Sequence, residues 1–343
     1  MVKVGLVGPG PLWESRYRPA LERLGAKIGV CAVYDPVAAR GEQIAGELKA
    51  LPVQGMVALS ELPSVHAILL IDPGWAGRHA LDLLCGAGKP VYIAGTLGAD
   101  REGLERLNRR AAADDLTLMP EFTLRHTPAT ARLHELMATR IGRPRKVTID
   151  AVPPDPADPM AFVAGTGSEF LVGLFDWCRY VIRTVPLRVE ARTASGNLES
   201  GTAENPSSMV RRVVIEFARS RAGGSSPEAE VVLHRRVDGP ATSSPSGEAV
   251  DPSVRCRIEC EKGEATIRSA SEIAWRNGTD EPTIEILTSD RSAVEVMLDH
   301  FCRRVVGGLI PIADVGDVCR GVELARAAEE SLRSGAAVML PTA

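Results

Sequence analysis

Paired cysteines, basic stretches and long apolar runs are what this chain of 343 residues does without. No segment reaches the roughly 18 uninterrupted apolar residues that a membrane span requires, so no membrane partner is expected. The seven cysteines (31, 85, 178, 256, 260, 302 and 319) are odd in number and never spaced Cys-x-x-Cys, which suits neither a disulfide framework nor a structural zinc site. In "VRCRIEC", Cys256 and Cys260 alternate with charged residues and share a face with Val254 and Ile258. That is the period of a half-buried strand, and buried apolar duty is expected of them in preference to metal or redox chemistry. The formal net charge is −4, with no basic run and no stripe of aromatics among basic residues, which gives no footing for nucleic acid. Gly-x-x-x-x-Gly-Lys, His-Glu-x-x-His and Gly-x-Ser-x-Gly are all missing, which removes the direct hydrolase and phosphotransferase readings. Ser168 in "GTGSEF" has no identifiable histidine partner. Met1-Val2-Lys3 leads straight into a strand-like run, leaving no room for a secretory leader, so a cytoplasmic address is expected.

What is present is ordinary globular material, 45% hydrophobic and 24% charged, a balance that argues against disorder. The length exceeds what one core usually serves, so two domains are expected, 1–121 and 122–343. Through about residue 120, short apolar runs alternate with helical patterns: strands at 2–8, 28–34, 66–71, 90–94 and 116–119, helices at 36–49, 75–87 and 100–114. This predicts an α/β fold with a mostly parallel sheet covered on both faces, binding its ligand beyond the carboxyl ends of the strands. After a helix at 128–140 the pattern changes to alternating strands at 211–217, 229–237, 254–260 and 283–287, joined by Gly/Ser/Pro segments. These predict a large, mostly antiparallel open sheet, and helical periodicity closes the chain. No internal repeat occurs.

Strand one runs into "VGPGPLW", which supplies Gly8 and Gly10 of a G-x-G-x-x-G fingerprint, with Leu12 and Trp13 completing the turn. Asp35 ends the second strand where a ribose-binding acid belongs. The third glycine is replaced by Trp13, whose indole is expected either to hold the helix away or to point into the cofactor space. Pro9 and Pro11 have no N–H to give a pyrophosphate. The alternative reading is a tight strand-to-helix turn with no ligand.

With "AILLIDPGWAGRHALDLLCGAGKPVYIAGTLGAD", "RHTPATARLHELMATRIGRPR", "FDWCRYVI" and "PIADVGDVCRGVELARAAEESLRSG" added, the chain resembles the glucose-fructose oxidoreductase and inositol dehydrogenase (Gfo/Idh/MocA) family from residue 2 to about 340. The resemblance implies a Rossmann domain followed by an α/β domain on an open sheet, with NAD or NADP as cofactor. It also implies a sugar- or polyol-like ligand, and a homo-oligomer formed through the sheet. Asp35 favours NAD over NADP, because a carboxylate accepts a ribose hydroxyl and repels a 2′-phosphate. Asp72, Pro73 and Ala94, at the ends of neighbouring strands, join Gly8, Gly10, Leu12, Trp13 and Asp35 as cofactor contacts.

The same resemblance exposes losses. The family's Glu-Lys-Pro falls on Ala94, Gly95 and Thr96, so the proton-transferring lysine is Gly95. Its Asp-x-x-x-His falls on Glu169 and Gly173, with Asp176 retained. Hydride transfer from a carbinol needs a base for the hydroxyl proton, and glycine supplies none. A protein impaired in hydride transfer, or without it, is therefore expected. The alternative is an active oxidoreductase with a rebuilt path through Glu169 and Asp176, two turns apart on one helix face. Both carboxylates have structural readings as well, as dipole partner, cap or salt bridge. Trp75, Glu121 and Arg125 are candidate pocket residues, Arg125 alternatively an interdomain clamp.

Overall fold

The first strand, β1 (Val2–Val7), is buried at every position but Lys3 because it has a strand on each side and helices over both faces. The computed structural model describes residues 1–72, 78–95, 101–152, 169–195, 209–219, 225–234, 254–307 and 312–341; Pro73, Trp75, Thr96, Ser168 and the Glu169 side chain lie outside that description. The described chain divides into two compact units. One comprises Met1–Thr123 with Arg291–Arg320; the other comprises the remainder, from Leu124 to Asp290 and from Gly321 onward.

In the first unit β1 is joined by β2 (Ile28–Tyr34), β3 (Leu51–Pro52), β4 (Ala67–Leu70), β5 (Val91–Ile93) and β6 (Leu118–Pro120). They form a six-stranded sheet in the order β3-β2-β1-β4-β5-β6, with every pair parallel. Five of these strands match the apolar runs read from sequence. β3 escaped notice because it is two residues long and exposed. The strand order reverses between β1 and β4, which is where an open α/β sheet leaves a crevice for a ligand.

The helices around this sheet are α1 (Arg18–Arg23), α2 (Ala38–Leu48), α3 (Met56–Glu61), α4 (Arg78–Cys85) and α5 (Arg101–Ala113). To these the C-terminal part of the chain adds α8 (Ala293–Val305), opened by a capping box of Ser292 and Glu295. Its Val294, Met297, Leu298 and Phe301 are buried in the same cluster as Trp13, Tyr17, Leu21 and Tyr92. Each such large apolar side chain contributes roughly 1.5–3 kcal/mol when removed from water. The cluster therefore ties α8 firmly to the first unit.

The second unit carries a nine-stranded sheet ordered β14-β13-β12-β11-β7-β10-β9-β8-β15. Its strands are β7 (Pro144–Ala151), β8 (Pro186–Ser195), β9 (Met209–Phe217), β10 (Glu228–His234), β11 (Val254–Cys260), β12 (Gly263–Ser269), β13 (Glu272–Asn277), β14 (Thr283–Ile286) and β15 (Val338–Met339). Only β7 and β10 pair in parallel. The expected sheet is thus present. One face packs on α6 (Pro128–Leu136), α7 (Glu169–Ile182) and the later turns of α9 (Val315–Ser334), through Leu133, Phe175, Trp177 and Leu324. The other face is a lattice of charges: Lys146 and Arg212 both meet Glu230, at 2.9 and 2.8 Å, while Arg257 and Arg276 both meet Glu264, at 2.8 and 2.7 Å. Cys256 and Cys260 are buried on the helix-covered face, and burial pushes both thiols up to about 12. They remain protonated and inert at neutral pH.

Candidate functional site

The turn after β1 and the residue after β4 are bound together at the point where strand order reverses. Asp72 N–H donates to the Gly8 carbonyl at 2.7 Å, and Gly8 N–H donates to the Tyr34 carbonyl at 2.8 Å. Gly8 and Gly10 have φ of 60° and 67°, the left-handed region. A Cβ on Gly8 would lie 1.7 Å from the Asp72 carbonyl oxygen, and one on Gly10 would lie 2.7 Å from Asp72 Cβ. Only glycine fits at either position. Gly10 and Leu12 keep backbone N–H groups without a partner among the described residues, so a pyrophosphate has two donors here despite Pro9 and Pro11. A glycine cradle with free donors at a switch point fits a dinucleotide.

The Trp13 indole does not point into open space. Its side chain is 2% exposed and lies in the core with Leu21, Ile28 and Tyr17, so toward a cofactor it offers backbone alone. The chain makes room by winding residues Trp13–Tyr17 as a π-helical turn before α1 begins at Arg18, with Pro19 in its first turn. Leu12, by contrast, is exposed.

Asp35 stands at the end of β2 as expected, yet it is already engaged. Arg40, in the first turn of α2, grips it with Nε on Oδ2 at 2.7 Å and Nη2 on Oδ1 at 2.9 Å, and Val37 N–H adds 2.7 Å to Oδ1. The carboxylate is fully covered while the guanidinium is about half exposed. These hydrogen bonds, with the negative charge of Asp72 behind them, raise the Arg40 pKa further. A ribose hydroxyl can reach Asp35 only if Arg40 moves aside.

Glu121 is likewise consumed. It is buried after β6, where Tyr17 Oη and Tyr92 Oη donate to Oε2 at 2.9 and 2.8 Å, and Arg16 and Thr123 bind Oε1. Burial pushes the Tyr92 phenol well above its ordinary value. The sequence reading missed Arg16, Tyr17 and Tyr92, which are far from Glu121 along the chain. The one hint was a tyrosine inside the apolar strand "VYI", since a buried phenol needs an acceptor.

At the end of β5, Ala94 is partly buried and its N–H donates to the Leu70 carbonyl at 2.9 Å. Gly95 has φ 92°, a conformation that L side chains rarely adopt. A lysine at this position would be strained.

In the second unit, Gly173 sits inside α7, where a Cβ would meet nothing within 4 Å among the described residues. Three residues on, Asp176 is completely buried. Arg125, itself buried, forks onto it with Nε to Oδ2 at 2.7 Å and Nη2 to Oδ1, and Arg179 approaches to 3.6 Å. The Arg125 guanidinium also lies 4.9 Å over the Tyr180 ring. Asp176 thus takes part in a salt bridge with Arg125 inside the second unit. Among the described residues no group of three or more His, Cys, Asp or Glu is arranged to hold a metal, and no helix is long and apolar enough to cross a membrane.

No protein-family model matches the chain, and no curated protein matches its sequence. Solved structures do. A levoglucosan dehydrogenase in complex with NADH and levoglucosan aligns with TM-score 0.77 at 15% identity, covering 99% of this chain and 100% of that one. An NAD binding oxidoreductase from Klebsiella pneumoniae gives 0.77 at 15% identity over 100% and 99%. A UDP-N-acetylglucosamine 3-dehydrogenase from Acidithiobacillus ferrooxidans gives 0.73 at 18% identity over 97% and 98%. At such identities the likeness establishes the fold alone, a Rossmann-like domain followed by an open mixed sheet.

Proposed function

We propose that this chain takes a nicotinamide dinucleotide at the β1/β4 switch point beside a sugar- or polyol-like ligand. We propose further that its proton path is degraded, so hydride transfer is impaired or lost. The observation that carries this reading is Gly95. Its left-handed backbone favours glycine where a proton-transferring lysine is looked for, so the substitution is built into the main chain. When bound, the dinucleotide supplies the hydride acceptor or donor. Holding it falls to Gly8, Gly10 and the N–H groups of Gly10 and Leu12. Moving the hydroxyl proton falls to a side chain that neither Gly95 nor Gly173 provides. The Arg125 fork counts against Asp176 as a replacement base, because a carboxylate held by a guanidinium is a poor proton acceptor. We also propose a homo-oligomer through the charged sheet face.

Cofactor choice turns on Asp35 and Arg40. Asp35 alone prefers NAD. With Arg40 closed over it, the repulsion of a 2′-phosphate is neutralised, and the preference is weakened. Replacing Arg40 by Ala uncovers the carboxylate. Fluorescence titration with NADH and NADPH is expected to show both binding to the wild type, and an affinity ratio shifted toward NADH by about tenfold, roughly 1.4 kcal/mol, in Arg40→Ala. An unchanged ratio would remove this pair from the ribose site, and no binding of either nucleotide would remove the cofactor altogether.

A further inference from the structure

The glycine turn after β1 lacks the residue that ordinarily locks it to the sheet. In the dinucleotide fingerprint the third glycine lets the helix pack closely on the strand, and here that place holds Trp13, whose indole lies in the core. Backbone donors serve an anion best when they are already oriented, so the aim of this turn has to be fixed by other contacts.

The backbone shows where the turn is held. Arg16 N–H and Tyr17 N–H both donate to the Leu12 carbonyl, at 3.0 and 3.4 Å, and Trp13 N–H donates to the Gly10 carbonyl at 3.3 Å. The π-helical turn thus clasps Gly10 and Leu12, the two residues whose own N–H groups have no partner among the described residues.

The side chains of the same two clasping residues, Arg16 and Tyr17, reach across to Glu121. Glu121 follows β6, and its N–H donates to the Ile93 carbonyl at 2.9 Å, so its main chain belongs to the framework of the sheet. Tyr17 Oη donates to Oε2 at 2.9 Å, Arg16 binds Oε1, and Arg16 Nη2 also donates to Thr123 Oγ1 at 2.9 Å. From the sheet side, Tyr92 Oη donates to the same carboxylate at 2.8 Å. The Glu121 side chain is only 4% exposed, and a carboxylate taken so far out of water needs a cation and hydrogen bonds around it. Arg16 is that cation, and at 22% exposure it stands at the edge of the core, where it can be replaced without opening a cavity. An ionic brace therefore runs from the strand ends, through Glu121 and the pair Arg16 and Tyr17, to the Leu12 carbonyl.

We propose that Arg16 is a positioning residue for the nucleotide site: pinned to Glu121, it steadies Leu12 and keeps the N–H groups of Gly10 and Leu12 aimed at a pyrophosphate, the role that close glycine packing plays in the unmodified fingerprint. The inference rests on the nicotinamide reading above. It is tested on the full chain in the wild type, Arg16→Gln, Arg16→Lys and Tyr92→Phe, by fluorescence titration with NADH, urea unfolding and amide hydrogen exchange over residues 10–17. Tyr92→Phe strips a hydrogen bond from Glu121 on the sheet side and leaves Arg16 and Tyr17 in place, so it lowers stability without freeing the turn. Arg16→Gln is expected to weaken NADH binding about tenfold or more and to speed exchange of the turn amides by a similar factor. Tyr92→Phe is expected to leave both within about twofold, and Arg16→Lys, which keeps the charge, to restore most of the affinity. Affinity that falls in step with stability in Arg16→Gln and Tyr92→Phe alike marks a merely structural pairing and overturns the proposal, as does unchanged exchange in Arg16→Gln. Equal NADH binding by the wild type and Arg16→Gln overturns the brace and leaves the nicotinamide site standing. If the wild type binds no nucleotide, the nicotinamide reading falls, and exchange over residues 10–17 alone decides whether Arg16 holds the turn.

Discussion

Asp176 shows how a side chain's chemistry is decided by what lies against it. Sequence spacing leaves it a base, a cap or half of a salt bridge. Buried beneath the Arg125 fork with Arg179 near, it is paired with guanidinium. Removing one partner of a buried ion pair leaves uncompensated charge, so Asp176→Asn is expected to lower unfolding free energy in urea by roughly 3–5 kcal/mol. A loss within a few tenths of a kcal/mol would mean the carboxylate is dispensable to the fold. At this scale the sequence was legible where spacing along one strand-turn-helix unit sets position, as for Gly8, Gly10 and Asp35. It was illegible where partners converge from distant segments, as Tyr17 and Tyr92 do on Glu121. Arg40 lies only five residues from Asp35, yet it looks like any arginine on a helix surface until the turn geometry folds it back.

Among the elements, α7 carries an apparent contradiction, a glycine inside a packed helix. Gly173 costs about 1 kcal/mol relative to alanine at such a place, and its Cβ direction is open among the described residues. Gly173→Ala is therefore expected to raise the urea midpoint, by about 0.5–1 kcal/mol in stability. A destabilised variant would show that something occupies that space. The strands of the first sheet could be read because each is a short uninterrupted apolar run. In the second sheet, β7, β8, β12 and β13 were missed, since one of their faces is ionic and segments such as "PRKVTID" and "GEATIRS" carry charge at alternate positions. The π-helical turn at Trp13 could not be read at all. Motif spacing assumes a glycine there, whereas the fold buries an indole by inserting it into the core.

For the molecule as a whole, the charged sheet face bears on assembly. A homo-oligomer built on it would be held by ion pairs whose reach is about 10 Å at 0.1 M salt and about 3 Å at 1 M. Light scattering is expected to give a multiple of the 36.6 kDa chain mass at low salt, falling in 1 M salt. A monomer under both conditions would leave the sheet face without a partner copy. The fold was legible because it depends on order along the chain.

What separates a bound nicotinamide from a working dehydrogenase is proton handling, and positioned acid–base groups typically contribute about 10²–10⁴-fold each. The most direct measurement is stopped-flow nicotinamide absorbance with the purified chain, saturating NAD or NADP, and levoglucosan or another polyol. NADH binding by fluorescence with no substrate-dependent absorbance change is the expected result. Turnover at a rate ordinary for dehydrogenases would contradict the loss of the proton path.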